Sequence, residues 1–420
     1  MSAYEVVVVG AGPAGLAAAH AAAASGALVA IVDDNPHAGG QIWRGGPEQQ
    51  PDGRAAALWT ALRAAPNVSF LPATRVLYTP APGQLRVQTS AGADTLSYGQ
   101  LILATGARER LLPFPGWTLP GVTGAGGLQA LAKGGYPVAD KRVVVAGTGP
   151  LLLAAAATLK SSGAHVVAII EQAPWPALLR FAASLPATPS KAMQALRLGV
   201  QLKGTDYLHH SHVRSAHGDG VLQSVQVQRG KRRELDILHC DYLACGYGLL
   251  PNLELAQALG CAITTQGGSA VVRTDDWQQT SIPGIYCAGE GTGIGGVDLA
   301  LAEGRIAGLA ATGHALHIDA VFEQRRRWKK FATRLARGFA LRPELATLAG
   351  DDTIVCRCED VRHGELRTHA SWRSAKLQTR CGMGPCQGRI CGGATEVLYG
   401  WRPDAVRMPI APARVETLIV

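Results

Sequence analysis

Apolar positions in this chain come in short solid runs rather than in long amphipathic stripes. Val6 to Val9 is an unbroken β-branched run, followed at once by glycines and then by the alanine-rich "LAAAHAAAASGA". A second apolar run, "LVAIVD", closes the segment. Solid runs of this length, bounded by glycine, predict strands covered on both faces, and the alanine-rich stretch between them predicts a helix. The same order returns at 140–172 in "DKRVVVAGTGPLLLAAAATLKSSGAHVVAIIEQ". Three further stretches read alike. "YGQLILATGARER" (98–110) predicts a strand running into a turn at Thr105–Gly106. "CDYLACGYGLLPNLELAQALGC" (240–261) predicts a strand and turn that return the chain to the first domain. "TSIPGIYCAGEGTGIGGVDLALAEGRIAG" (280–308) predicts a strand, a turn at Gly289–Glu290, then a helix. The pattern is that of an α/β protein.

Composition narrows this in three ways. The 420 residues suffice for two or three domains, and 47% of them are apolar. Glycine is abundant and aromatics are few, which suits close helix–strand packing. The first residues carry no basic stretch followed by an apolar run and a small-residue cleavage site, and runs such as "PLLLAAAATL" are too short to span a bilayer. The expected location is cytoplasmic, with reduced thiols and with peripheral association at the inner membrane left open. The formal charge of +9 raises the question of nucleic acid, but the basic residues do not interleave with aromatics as in a nucleic-acid module. The densest run, "EQRRRWKKFATRLAR" (323–337), reads as the solvated face of a helix, with a docking face for an acidic partner as the second reading.

The first βαβ segment carries Gly10-x-Gly12-x-x-Gly15, with Pro13 and Ala14 inside the motif. Gly10 permits the tight turn, Gly12 lets a pyrophosphate approach the backbone, and Gly15 lets the helix pack close to the strand. The helix N-terminus offers free N–H groups and a positive dipole to phosphates. Asp33, followed by Asp34, ends the second strand where ribose hydroxyls would be bound. In the second segment Gly147 and Gly149 match, but Leu152 stands at the third position. Leu152 predicts a displaced helix, or a pyrophosphate held differently. Glu171 at the end of that second strand would favour a free ribose, so NAD or another adenine nucleotide fits better than NADP. The alternative is a domain kept for packing alone.

Other candidate chemistry is soon exhausted. No Cys-x-x-Cys pair lies near either glycine motif, so a dithiol relay is not expected. There is no Gly-x-Ser-x-Gly and no His-Glu-x-x-His. "HHSH" (209–212) reads as a solvated histidine cluster in a polar loop, and Cys245 and Cys287 as core thiols. No residue set for amine recognition stands out, and the catalytic residues stay unassigned.

Five of the nine cysteines lie in the tail: Cys356 and Cys358 in "VCRCED", then Cys381, Cys386 and Cys391 in "TRCGMGPCQGRICG". Two close pairs on two loops make a four-sulfur cage, for zinc or for an iron–sulfur cluster, and thiolate suits both. The spacer "VRHGELRTHASWRSAKLQ" reads as helical, with Leu366 and Leu377 among its apolar positions.

The motifs at 98–110 and 280–308 resemble the ATG and C-terminal GD motifs of two-dinucleotide-domain flavoproteins of the glutathione and thioredoxin reductase type. Glu290 stands where those proteins have Asp. "GGQIWR" (39–44) resembles the segment that lies along the flavin ring in thioredoxin reductases. The resemblance implies FAD as ligand. It implies a site formed by Gly10, Gly12, Pro13, Ala14, Gly15, Asp33, Asp34, Gly40, Gln41, Arg44, Ala104, Thr105, Gly106, Gly289, Glu290 and Gly296. The helix N-terminus near Gly295–Gly296 would then face the flavin ring.

The cysteine spacing resembles the bacterioferritin-associated ferredoxin-like [2Fe–2S] domain, which implies Cys356, Cys358, Cys386 and Cys391 as ligands and Cys381 as a surplus thiol. "CRCEDV … TRCGMGPCQGRICGG", "ATGARERLLPFPGWTLPGV", "AGTGPLLL" and "GYGLLPNLELA" resemble the larger FAD-domain subunits of bacterial multi-flavin dehydrogenases. These oxidise amino acids and opines, and include octopine and nopaline oxidases, D-hydroxyproline dehydrogenase and hydrogen cyanide synthase. The implied layout is an FAD domain at 1–118 and 251–318 and an inserted NAD-binding-like domain at 119–250. A basic helical linker at 319–349, a [2Fe–2S] domain at 350–401 and a tail at 402–420 follow. The implied fold is α/β, with two reductase-like dinucleotide-binding domains and a small helical cluster domain.

The implied function is electron transfer, because flavin accepts two electrons together and an iron–sulfur cluster passes them singly. Substrate oxidation would lie on an FAD-containing beta subunit of the amine-oxidase type. A small ferredoxin-like subunit, an FMN at a subunit interface, and a one-electron acceptor or the respiratory chain belong to the same picture. A self-sufficient NADH-dependent reductase and a non-enzymatic redox sensor are the competing readings.

Overall fold

The computed structural model describes residues 2–45, 52–314, 318–403 and 406–418. The chain divides into two compact units. One comprises Met1–Arg108, Leu250–Thr333 and Ala405–Val420; the other comprises Glu109–Leu249 and Arg334–Asp404.

In the first unit the run around Val6 to Val9 becomes the strand Ser2–Val9, the middle of a largely parallel sheet. Val29–Val32 and then Val68–Leu71 lie on one side of it. Gly92–Leu103 lies on the other, continued by the antiparallel strands Gln84–Thr89 and Arg75–Tyr78. Ile285–Cys287 joins the C-terminal half of Gly92–Leu103 in parallel. Register places Val8 beside Ile31 and Ile102. Alternate residues feed two cores, which is why the runs are solid. Val6 and Val8 pack with Leu16, Ala18, Trp43 and Trp59, whereas Val7 and Val9 pack with Leu101, Leu253 and Val272.

The helix Pro13–Ala24 is covered by the helix Val297–Ala311. They meet backbone to backbone. A Cβ on Gly304 would sit 2.1 Å from the Ala14 carbonyl oxygen, and one on Gly308 would sit 2.2 Å from that of Ala18.

In the second unit five parallel strands run in the order Asp206–Leu208, His165–Glu171, Arg142–Gly147, Tyr242–Gly246, Val122–Gly124. Leu152, at the third position of the second glycine motif, is a core residue of Pro150–Ser161 and packs with Leu128, Val143, Val145 and Leu159. A three-stranded antiparallel sheet, Ser211–His217, Ser224–Arg229 and Leu235–His239, follows. It corrects the reading of "HHSH" as a solvated cluster in part: His209 is exposed, but the last two residues are not. Ser211 and His212 open a buried strand, and His212 lies against the Arg342 guanidinium. Burial, with Arg342 and Arg214 close by, pushes the His212 pKa down to about 4, so its imidazole is neutral at pH 7.

The cysteine-bearing segment of this unit pairs Ile354–Cys356 with Val361–Arg362 and adds helices His363–Leu366, Trp372–Thr379 and Cys391–Tyr399. The spacer is therefore two short helices. Trp372 and Ala375 do the packing; of the apolar positions noted in the spacer, Leu366 is buried and Leu377 is 64% exposed. No helix among the described residues is long and apolar enough to cross a membrane.

Gly304→Val should force the two packed helices apart and lower unfolding stability by about 1–3 kcal/mol. Gly199→Ala, on the helix Pro189–Gln201 where a Cβ meets nothing within 4 Å, should be neutral or stabilising. Denaturant unfolding of both variants tests the contrast.

Candidate functional site

The nucleotide cradle of the first unit is built where the strands stop. Gly10, at φ +106°, turns the chain hard against the Ala104 carbonyl. A Cβ on Gly10 would overlap the Ala104 carbonyl and one on Gly15 the Gly10 carbonyl, so both residues must be glycine for strand and helix to come this close. Above Gly12 the nearest heavy atom to a Cβ would be the Gly40 Cα, 3.9 Å away. Among the described residues no side chain lies within 4 Å of a Cβ on Gly12 or Gly40, beside the N-terminus of Pro13–Ala24, which is what a pyrophosphate needs. Gly39 N–H donates to the Ala11 carbonyl, and buried Trp43 holds the "GGQIWR" segment against Trp59. Arg44 donates to Gln41 Oε1 at 2.6 Å.

The two acidic residues after the second strand are unequal. Asp33 accepts from the Ala11 N–H at 2.6 Å and from the Asn35 backbone and side chain, so it pins the glycine loop. Asp34 faces solvent and pairs with Arg75 at 3.0 Å.

Two other corners complete the cradle. Thr105 Oγ1 donates to the Asn252 carbonyl, Asn252 Nδ2 donates to the Thr105 carbonyl, and Asn252 N–H donates to the Gly106 carbonyl. The turn at Gly289–Glu290 is held from beneath by Glu303, which accepts from the Gly289 N–H at 3.0 Å and the Thr292 hydroxyl at 2.6 Å. Glu303 is fully buried, with Lys329 Nζ at 3.9 Å as its cation. Sequence reading passed over Asn252 and Glu303. Glu303 sits in a helix that looks merely apolar, and its only signal was a lone acid among alanines.

Glu290 accepts from the Gly296 N–H at the start of Val297–Ala311, and its other carboxylate oxygen is buried with no partner among the described residues. Desolvation raises its pKa to about 7 against the helix N-terminal N–H groups, which pull the other way. A buried carboxyl with a spare oxygen, a glycine cradle and two helix N-termini suit a polar dinucleotide. These residues fit FAD.

The second βαβ segment has the same plan with its polar groups already engaged. Glu171 accepts from Gly149 N–H at 2.7 Å, from Ala173 N–H at 2.8 Å and from Thr148 Oγ1 at 3.0 Å. Its pKa is pushed up to about 6 by burial. The chain's own residues 339–342 cover this corner. Thr148 Oγ1 also faces the Phe339 carbonyl at 3.3 Å. Gln172 Nε2 donates to the Ala340 carbonyl, and Arg342 N–H donates to Gln172 Oε1. Phe339 stacks edge-on to Phe181. Both Glu171 carboxylate oxygens are thus engaged within the protein, as both of Asp33 are; what differs is the cover from residues 339–342.

The tail cysteines converge, but not in their sequence pairs. The Sγ atoms of Cys356, Cys381 and Cys391 all lie within 4.8 Å of one another, and all three residues are buried. Cys358, which is exposed, instead contacts Cys386. Cys381 and Cys391 donate to Cys356, as do the backbone N–H groups of Gly382 and Glu359, and this pulls the Cys356 thiol well below the ordinary thiol range. Cys381, expected as a bystander, is therefore inside the sulfur group. A Cβ on Gly384 would overlap Cys358, so the 380–390 loop can lie on the Cys358 segment only with glycine there. Five thiols with backbone N–H donors to sulfur fit a thiolate-held iron–sulfur cluster.

A βαβ fold with such a cradle defines a dinucleotide-binding protein. The chain belongs to the pyridine nucleotide-disulphide oxidoreductase family, whose pattern matches residues 4–305, and it is an FAD-dependent oxidoreductase. It is 35% identical to one of the subunits of opine oxidase from Rhizobium meliloti (strain 1021), over 93% of this chain and 91% of that protein. It is 31% identical to the HcnB subunit of hydrogen cyanide synthase from Pseudomonas aeruginosa, over 92% and 90%. The solved L-proline dehydrogenase of P. horikoshii shares the fold, with a TM-score of 0.72 at 19% identity, covering all of this chain and 80% of that one.

Because Glu290 holds its proton to about pH 7 when folded but ionises near 4.5 when unfolded, its stabilising contribution should fade as pH rises through that window. In the FAD-free chain, the stability of wild type relative to Glu290→Gln should fall by on the order of 2 kcal/mol between pH 4.5 and 7.5. Urea unfolding across that range reads it, and a pH-independent difference contradicts it.

Proposed function

We propose that this chain is the electron-transfer subunit of a heteromeric dehydrogenase that oxidises an amino acid or related secondary amine of the proline, hydroxyproline, opine or glycine class. Substrate is oxidised on a partner FAD subunit. The observation that carries this reading is the convergence of buried thiols in a chain that also holds an FAD-type cradle. When bound, FAD supplies two-electron chemistry and a [2Fe–2S] cluster one-electron chemistry. The chain's residues do the holding. Gly12, Gly40 and two helix N-termini receive the dinucleotide, Asp33 and Glu303 fix the loops around it, and Cys356, Cys358, Cys386 and Cys391 are the proposed cluster ligands.

The relatives named as subunits of opine oxidase and hydrogen cyanide synthase support a partner subunit. The engagement of Glu171, Thr148 and Gln172 by residues 339–342 and by the glycine loop argues against NADH as the electron donor at the second βαβ segment.

The test is co-expression with the neighbouring reading frames, followed by absorption spectra of the isolated chain and of the complex. The isolated chain should be coloured and should resist bleaching by proline, hydroxyproline, opines, glycine or NADH. The complex should be bleached by one of those amino compounds. Stoichiometric bleaching of the isolated chain by an amino acid would place substrate oxidation here instead. Rapid bleaching by NADH alone would make the chain a self-sufficient reductase.

A further inference from the structure

We propose that Cys381 is a reserve ligand: it lies in one buried group with the sulfurs of Cys356 and Cys391, within 4.8 Å, so it can replace either as a metal-holding thiolate. The proposal rests on the cluster reading above and deepens it. A four-thiolate site needs two sulfur pairs. The structure divides the five sulfurs into a buried trio and an outer pair, Cys358 with Cys386. The outer pair has no spare. The trio has one sulfur more than its half of the site requires, and Cys381 contacts both of its companions.

The surroundings hold Cys381 in place. It is fully buried in the small core formed by Val355, Val361, Leu366, Trp372 and Ala394. Its N–H donates to Thr379 Oγ1 at 3.3 Å, and the next residue's N–H donates to the Cys356 sulfur. A side chain packed for its own sake in such a core would be served by any small apolar residue. A thiol can in addition bond a soft metal.

The exchange needs no electrons. The Cys381 thiol loses its proton to solvent, and its thiolate forms the metal–sulfur bond that the missing cysteine would have made. The geometry therefore predicts an asymmetry among the cysteines. Removal of a trio ligand is compensated, and removal of an outer ligand is not.

The test uses alanine variants of the full chain, purified with its partner. Iron and sulfide are measured per FAD, together with the electron paramagnetic resonance spectrum after reduction. Cys391→Ala should keep its iron but show a shifted spectrum, because one ligand has moved. Cys381→Ala/Cys391→Ala should lose the iron. Cys358→Ala and Cys386→Ala should each lose it with Cys381 intact. Cys356→Ala makes the same demand as Cys391→Ala and replaces it if that variant does not fold, as judged by FAD content. Loss of iron from a folded Cys391→Ala chain overturns the proposal, and so does equal iron retention in the single and double variants. A wild-type complex without iron overturns the cluster reading itself, which is a separate outcome.

Discussion

The first unit depends on a few places where backbone meets backbone without a Cβ between. Gly15 sits on the Gly10 carbonyl, and Gly304 and Gly308 sit on the carbonyls of Ala14 and Ala18. These approaches bring together the helices Pro13–Ala24 and Val297–Ala311, which come from opposite ends of the unit's sequence. The cradle is a by-product of that closeness. The first helix can start at the strand end only because Gly10 and Gly15 permit it, and the second helix brings Glu290 and Glu303 with it. Dispersion forces need such contact to act, and any added methyl would cost more than it contributed.

The two βαβ segments show how one plan diverges through its polar groups rather than its fold. Each ends its second strand in a carboxylate that reaches back to a glycine-loop N–H: Asp33 to Ala11, and Glu171 to Gly149. In the first, no side chain among the described residues comes within 4 Å of a Cβ built on Gly12 or Gly40. In the second, Thr148 and Gln172 are bonded to residues 339–342. Leu152 marks the difference in the sequence. Where the first helix is held close by glycine, the second is held by a leucine buried in its own core.

Much of this was legible in the sequence, because glycine spacing and solid apolar runs are local signals with one structural solution. Val6 to Val9, the Gly10–Gly15 motif and the Gly289–Glu290 turn announced themselves. What could not be read were contacts between distant segments. His212 looked solvated because its neighbours are polar; its burial comes from the strands beside it and from Arg342. Glu171 looked available, but the N–H groups of Gly149 and Ala173 and the Thr148 hydroxyl engage it, and Phe339 and Ala340 arrive from far downstream to bond Thr148 and Gln172. Sequence pairing of cysteines followed spacing, whereas chain geometry pairs Cys358 with Cys386 and sets Cys381 beside Cys356 and Cys391. Residues two apart share a face only while a strand continues. Cys356 is the last residue of its strand and Cys358 already lies in the turn beyond it, so the two thiols part company.

The segment that covers the second βαβ corner also has Leu345 and Leu348 in the core of its unit, and Trp117 donates its indole N–H to the Ile354 carbonyl. The cysteine-bearing tail is therefore not a cassette that recombination can cut at its first residue and graft elsewhere. Its receptor surface is written into the host domain, at Thr148, Gln172 and Trp117. A lineage that exchanged this tail for another segment would have to rewrite those positions together, which ties the inheritance of the tail to that of the domain beneath it.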